Sequence, residues 1–167
     1  AFALLAQMPI IPLRPEWRVD IVPADYVGKA IVKIHQAKEP RYGIYHLSSG
    51  QGAQTYQEIV DALGDRGHGL KNRFMPGLGR PFSTVVGALA ATPRRWGVAP
   101  PAALLKVFWP YLVFNTVFDN RRVREVMGGP PRRFTDYVYE LLRFAADGGF
   151  RYNYRPWPKA AKLPKVA

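Results

Sequence analysis

Residues 18–35 read RVDIVPADYVGKAIVKIH. An alternating run turns at Pro23 and passes into an amphipathic segment, and what this unit belongs to decides the fold. A short strand is expected over residues 17–22. The helix after it is expected to start near Ala24 or Asp25, with the Asp25 carboxylate capping its first turn. Val27, Ala30, Ile31 and Ile34 fall at i, i+3, i+4 and i+7, which predicts one buried stripe.

Working outward, residues 41–48, RYGIYHLS, are rich in aromatic and β-branched side chains and read as a second strand ending in the loop SSGQGAQ. Thr55 and Glu58 then have capping-box spacing, and Tyr56, Ile59, Val60 and Leu63 repeat a helical stripe. Strand, helix, strand and helix thus alternate over residues 17–64, the pattern of α/β organisation. Residues 1–8 read as the end of a helix closed by Pro9 and Pro12, and residues 70–75 as another short strand. Residues 81–92 and 101–114 are dominated by Ala, Leu, Val and aromatics. They predict two hydrophobic helices packing on each other, on a neighbour, or on lipid. A short helix is expected over 120–127, stopped by GGPP. Another is expected over 135–147 with Val138, Leu141, Leu142 and Ala145 inward. The tail 151–167 is basic, broken by proline and expected to be extended. No internal repeat is visible.

The composition sets limits. Of 167 residues, 48% are apolar, enough for a packed core. Cysteine does not occur, so disulfides and thiolate-ligated metals are excluded, which suits a reducing, cytoplasmic setting. The opening AFALLAQMPIIP lacks a basic n-region and does not look like a signal peptide, and no run reaches the roughly 18 apolar residues of a membrane span. The net charge of +12 is unevenly placed: residues 1–65 hold six Lys/Arg against seven Asp/Glu, residues 66–167 eighteen against five. Arg outnumbers Lys sixteen to eight, which suits bidentate recognition of phosphates or carboxylates. Solvated basic surface is the competing reading of the same numbers.

Recognisable reaction chemistry is missing. His35, His46 and His68 are scattered, so no metal cluster can be argued, and His46 reads as a structurally satisfied histidine. No GxSxG, GxGxxG or GxxGxxG occurs, and no Tyr is followed four residues later by Lys; Tyr26 and Lys29 are three apart. No catalytic residue is assigned.

Three blocks nevertheless share a resemblance. RVDIVPADYVGKAIVKI (18–34), IYHLSSGQGAQTYQEIVDAL (44–63) and YLVFNTVFDNRRVREVMGGPP (111–131) resemble, in order, three late units of the extended short-chain dehydrogenases. Those units are a strand leading to an Asp-led helix, a strand with a Gly/Ser loop and a Thr-capped helix, and a closing extended segment with a short helix. The form VDIVPADYV is most similar to the male-sterility or thioester-reductase branch, which reduces fatty acyl thioesters with NADPH. The resemblance implies an α/β fold: the C-terminal part of an extended Rossmann-type fold followed by a mainly helical substrate-binding region. It divides the chain into the end of the nucleotide-binding fold and start of the substrate region (1–80), the helical substrate-binding region (81–150) and the tail (151–167). It further implies a preceding nucleotide-binding half carrying the Gly-rich phosphate loop and the Tyr-x-x-x-Lys pair, so NADP(H) or NAD(H) would be held outside this chain.

Arg18 sits where many family members place an Arg against a substrate phosphate, here one of coenzyme A or phosphopantetheine. Pairing with Glu16 or Asp20 is the structural alternative. Arg121 and Arg122 are the other expected substrate-binding residues, with Arg94, Arg95, Arg132 and Arg133 near the mouth of a groove lined by residues 81–114. Asp25, Asp119 and Asn120 are expected to cap or pack. Acyl-CoA or acyl carrier protein would be the partner. The competing function is an inactive basic protein binding nucleic acid or a membrane surface. Nucleic acid is disfavoured because an RNP-like aromatic motif and a helix-turn-helix are missing.

Overall fold

The computed structural model describes residues 9–64, 72–93, 95 and 97–149. The expected helix end at 1–8, the tail 151–167 and Arg94 lie outside them. The described chain is a mixed α/β structure in which helix predominates and strands are short. In chain order it runs β1 (Ile10–Ile11), β2 (Arg18–Val19), α1 (Ala24–His35), β3 (Gln54–Thr55), α2 (Tyr56–Leu63) and β4 (Arg73–Phe74). It continues with α3 (Gly79–Ala90), α4 (Ala99–Val113), α5 (Arg121–Met127) and α6 (Val138–Asp147). β1 pairs in parallel with β4, and β2 pairs antiparallel with β3 in the register Arg18↔Thr55 and Val19↔Gln54. No larger sheet forms among the described residues.

The capping box that opens α2 is present in full. The Thr55 hydroxyl accepts from the Glu58 N–H, and the Glu58 carboxylate accepts from the Thr55 N–H at 2.7 Å. This helix divides two apolar clusters. Tyr56 faces Ile11, Leu13, Val86, Leu105 and Leu112, while Ile59 and Leu63 face Phe134 and Val138. The first cluster therefore draws on residues from both sides of the expected 80/81 division. Tyr56 fastens it, because its buried hydroxyl donates to the Leu112 carbonyl at 2.7 Å, one of the acceptors left open at the end of α4. Burial raises the pKa of this phenol, so it stays a donor throughout the physiological range. The two hydrophobic helices form as expected and pack along each other, with Phe82 and Trp109 rings 5.0 Å apart.

Five expectations need correction. Residues 41–48 are irregular, not a strand: the segment is stitched to α5 by side chains, with the Tyr42 hydroxyl on Glu125 at 2.7 Å and Arg122 over the Tyr42 ring at 5.0 Å. The expected strand over 17–22 shrinks to Arg18–Val19, because β3 offers only two residues to pair with. Asp25 caps nothing; α1 starts after Pro23 without a side-chain cap, and Asp25 instead pairs with Lys29 at 3.6 Å in solvent. Finally, α1 rests chiefly on α5, so its buried arc is narrow. Ala30 is fully closed off and Val27 and Ile34 are half-buried, but Ile31 is 54% exposed. Leu141 on α6 is likewise half exposed, although Val138, Leu142 and Ala145 do turn inward.

Replacing a closed-off side chain should therefore separate the two helices sharply. Ile59→Ala, at a position 2% exposed, should cost about 2–5 kcal/mol in urea unfolding. Ile31→Ala should stay within about 0.5 kcal/mol of the parent. Similar losses at both positions would contradict this packing.

Candidate functional site

The candidate site begins with a loop. Residues 48–54 run between the end of β2, the start of α5 and the turn at Phe134, and most of them are buried. The Ser49 N–H donates to Asp20 Oδ1 at 2.8 Å and its hydroxyl to the Ile21 carbonyl at 2.6 Å. Gly50 has φ +59° and lies so close to Asn120 that a Cβ there would sit 2.5 Å from that side chain. Only glycine meets both demands. Asn120 uses the room to donate from Nδ2 to the Ser48 carbonyl at 2.8 Å. Buried Gln54 donates to the Gly52 carbonyl and accepts from the Phe134 N–H at 2.9 Å.

A cleft of about 420 Å³ opens beside this loop, lined among others by Arg18, Ser49, Gly52, Ala53, Glu58, Arg124, Arg132 and Arg133. Arg18 donates to the Ala53 carbonyl, which holds its guanidinium at the cleft wall. It makes no ion pair with Glu16 or Asp20: Glu16 pairs with Arg14 at 3.6 Å, and Asp20 serves Ser49. Arg132 donates to the Asp136 carbonyl at 2.8 Å and lies over the Tyr137 ring. Arg133 pairs with Glu58 at 3.0 Å. Four guanidinium groups thus face one carboxylate, a net positive cavity. The Thr55 N–H is the main influence holding the Glu58 carboxyl below its ordinary range, helped by Arg133 and Arg18. No carboxylate of the described residues lies within ion-pair reach of Arg124.

The other expected site residues are placed differently. Arg121 clasps Asp119 through Nε and Nη2, the shortest contact being 2.7 Å. Asp119 Oδ1 also accepts the Arg121 N–H at 3.0 Å, so Asp119 caps the entry to α5 while Asn120 packs. Arg122 donates to the Ile44 carbonyl at 3.2 Å on the opposite flank. Arg121 lines a neighbouring cavity, also about 420 Å³, which shares Gln51 and Arg124 with the first. Arg18, Arg121 and Arg122 therefore do not converge; Arg18 and Arg124 do, and Arg132 and Arg133 join them. Arg124 was legible only as i+3 from Arg121, the spacing that puts two side chains on one helix face. Arg95 is exposed and lines neither cavity. His46 donates to or accepts from nothing catalytic: its Nδ1 lies 3.2 Å from the Asp119 carbonyl and its ring meets Phe118 edge-on.

A third cavity, about 600 Å³, lies between α1 and the turn after α5, with Tyr26, Lys29, Arg132 and Tyr137 in its wall. Tyr26 donates to the Gly129 carbonyl at 3.0 Å, and burial raises its pKa, the opposite of what a general acid working near neutrality needs. No group of His, Asp and Glu among the described residues could hold a metal ion.

The start of α2 is not a pyrophosphate cradle. A phosphate cradle needs open N–H groups at a helix start. At α2 they are taken: the Tyr56 N–H donates to the Trp17 carbonyl at 3.0 Å, the Gln57 N–H to the Pro15 carbonyl at 3.1 Å and the Glu58 N–H to the Thr55 hydroxyl at 3.2 Å. No protein-family model matches the chain, and no characterised protein or solved structure shows significant similarity to it.

The Asp119–Arg121 clasp makes a pH prediction. Hydrogen bonds from Arg121 pull the Asp119 carboxyl from its ordinary value down to about 2. Its contribution to α5 is thus complete above the unfolded pKa near 3.8 and is lost as pH falls through about 2. Carbon-detected NMR titration should find Asp119 still ionised at pH 3, and Arg121→Ala should return it toward the ordinary range. An unshifted Asp119 in the parent chain would contradict the clasp.

Proposed function

We propose that the chain is the C-terminal substrate-binding portion of an NAD(P)-dependent oxidoreductase of the extended short-chain dehydrogenase type, acting on an acyl thioester. One observation carries the proposal. The three sequence blocks that resemble that family meet at a single cationic cleft: Arg18 comes from the first, Ser49 to Glu58 from the second and Arg124 from the third. Blocks far apart in the chain supply one wall each, as expected of residues that recognise a shared ligand.

The chemistry of the cleft suits the anionic handle of such a substrate. Guanidinium groups held by backbone carbonyls are pre-oriented, and planar donors grip phosphate oxygens in pairs. Coenzyme A or phosphopantetheine phosphates would enter between Arg18 and Arg124, with Arg132 and Arg133 at the rim. The acyl chain would extend away from the charge. Hydride chemistry would be supplied by NADP(H) or NAD(H) held on a separate nucleotide-binding half. This chain's part is to bind and orient the thioester.

Calorimetry of the full chain with coenzyme A tests the reading. Binding should weaken about tenfold or more for Arg18→Ala/Arg124→Ala, since each loses charge-assisted hydrogen bonds. It should change little for Arg121→Ala/Arg122→Ala. NADPH, run in parallel, should show no saturable binding. Equal loss in both double variants, or micromolar NADPH binding, would overturn the proposal; the unfolding midpoint of each variant separates lost contacts from lost fold.

A further inference from the structure

The α3–α4 pair carries a feature that the cleft does not use. A surface helix ordinarily backs its apolar stripe with a polar face. α4 does not: Lys106 is its sole charged residue. Ala99, Ala102, Leu105 and Leu112 are buried, the last two in the cluster shared with Val86 of α3. On the opposite side Leu104, Val107, Phe108 and Tyr111 follow at i, i+3, i+4 and i+7, between 44% and 71% exposed, and Phe114 continues the row at 61%. α3 adds Val85 and Leu89, four residues apart and exposed.

The charge carried by these helices and the segments flanking them has one sign. Residues 66–118 contain seven Lys/Arg and neither Asp nor Glu. Arg73, Arg80, Arg95 and Lys106 are all exposed, and no carboxylate of the described residues pairs with them. This 53-residue stretch itself contributes no carboxylate that would repel an anionic surface.

We infer that this face docks on a bilayer containing anionic phospholipid, with the α4 row sunk among the acyl chains and the four cations against the headgroups. A second copy is disfavoured as the occupant, because residues 66–118 of neither copy would offer a carboxylate to the cations of the other. A duplex nucleic acid would meet the cations but leave the apolar row without a partner. Membrane crossing is not the mode. At 1.5 Å per residue α4 is about 22 Å long, against a hydrocarbon core of about 30 Å. No described helix is long and apolar enough to span. The geometry is that of a helix lying in the interface, where apolar insertion and attraction to headgroups act together. This inference stands apart from the thioester reading.

Vesicle flotation of the full chain tests it, using phosphatidylcholine alone and phosphatidylcholine with phosphatidylglycerol. The chain should float with the second and far less with the first. Val107→Asp/Tyr111→Asp, at positions 65% and 71% exposed, should keep the parent unfolding midpoint and lower partitioning by about tenfold or more. Arg80→Gln/Lys106→Gln should lower it by roughly fivefold per cation removed. Absence of flotation with anionic vesicles would overturn the proposal, whether sedimentation then shows a monomer or a dimer. So would flotation that Val107→Asp/Tyr111→Asp leaves intact, which would assign attachment to basic residues elsewhere in the chain.

Discussion

Residues 48–54 form a buried polar seam, and the surrounding elements are held in register by it. Burying polar groups is costly unless each finds a partner, about 1–3 kcal/mol for each one left open. Here the partners come from every side. Asp20 and Ile21 serve Ser49, Asn120 serves the Ser48 carbonyl, and Phe134 meets Gln54. Among the described residues no buried side-chain nitrogen or oxygen lacks a hydrogen bond. Removing any one arm strands a group on another arm, so the seam behaves as a unit.

The cationic cleft follows from that seam. Arg18 is held at the cleft wall by the Ala53 carbonyl, one residue before Gln54. Arg133 precedes the Phe134 N–H that Gln54 accepts, and it reaches Glu58 of the capping box. Arg124 lies one helical turn beyond Asn120, whose side chain fills the space left by Gly50. Four like charges would repel in a loose loop. Here backbone hydrogen bonds, Glu58 and a rigid seam hold them around one cavity. Concentrating positive charge in a concave surface is what raises the local density of an anionic ligand. The α3–α4 pair is tied in from the other direction by the Tyr56 hydroxyl on Leu112.

Features decided within one turn of chain were legible in the sequence. The Thr55–Glu58 box, the glycine stop after Met127 and the two apolar helices all depend on neighbours three or four residues away. Gly128 at φ +80° ends α5 as GGPP implies. What the sequence concealed was decided by distant partners. The Arg41 to Ser48 run has strand-like composition, yet its nearest partners are side chains of α5, which offer no backbone ladder. Ile31 fits a helical stripe, but how wide a stripe is buried depends on how many neighbours a helix has. The site residues divide the same way. Arg18 lines the cleft, while the clasp of Arg121 on Asp119 and the seat of Arg122 over the Tyr42 ring depend on partners that spacing does not show.

Native-state hydrogen exchange at Ser49 and Phe134 tests the seam most directly. Neither amide belongs to an α-helix or strand, and each donates to a side chain, Asp20 and Gln54 respectively. If the seam holds the structure together, both should open with the free energy of the core amides of Ile59 and Leu63, through global unfolding. Exchange at rates typical of exposed loops, with Ile59 and Leu63 still protected, would show that the elements stand without it.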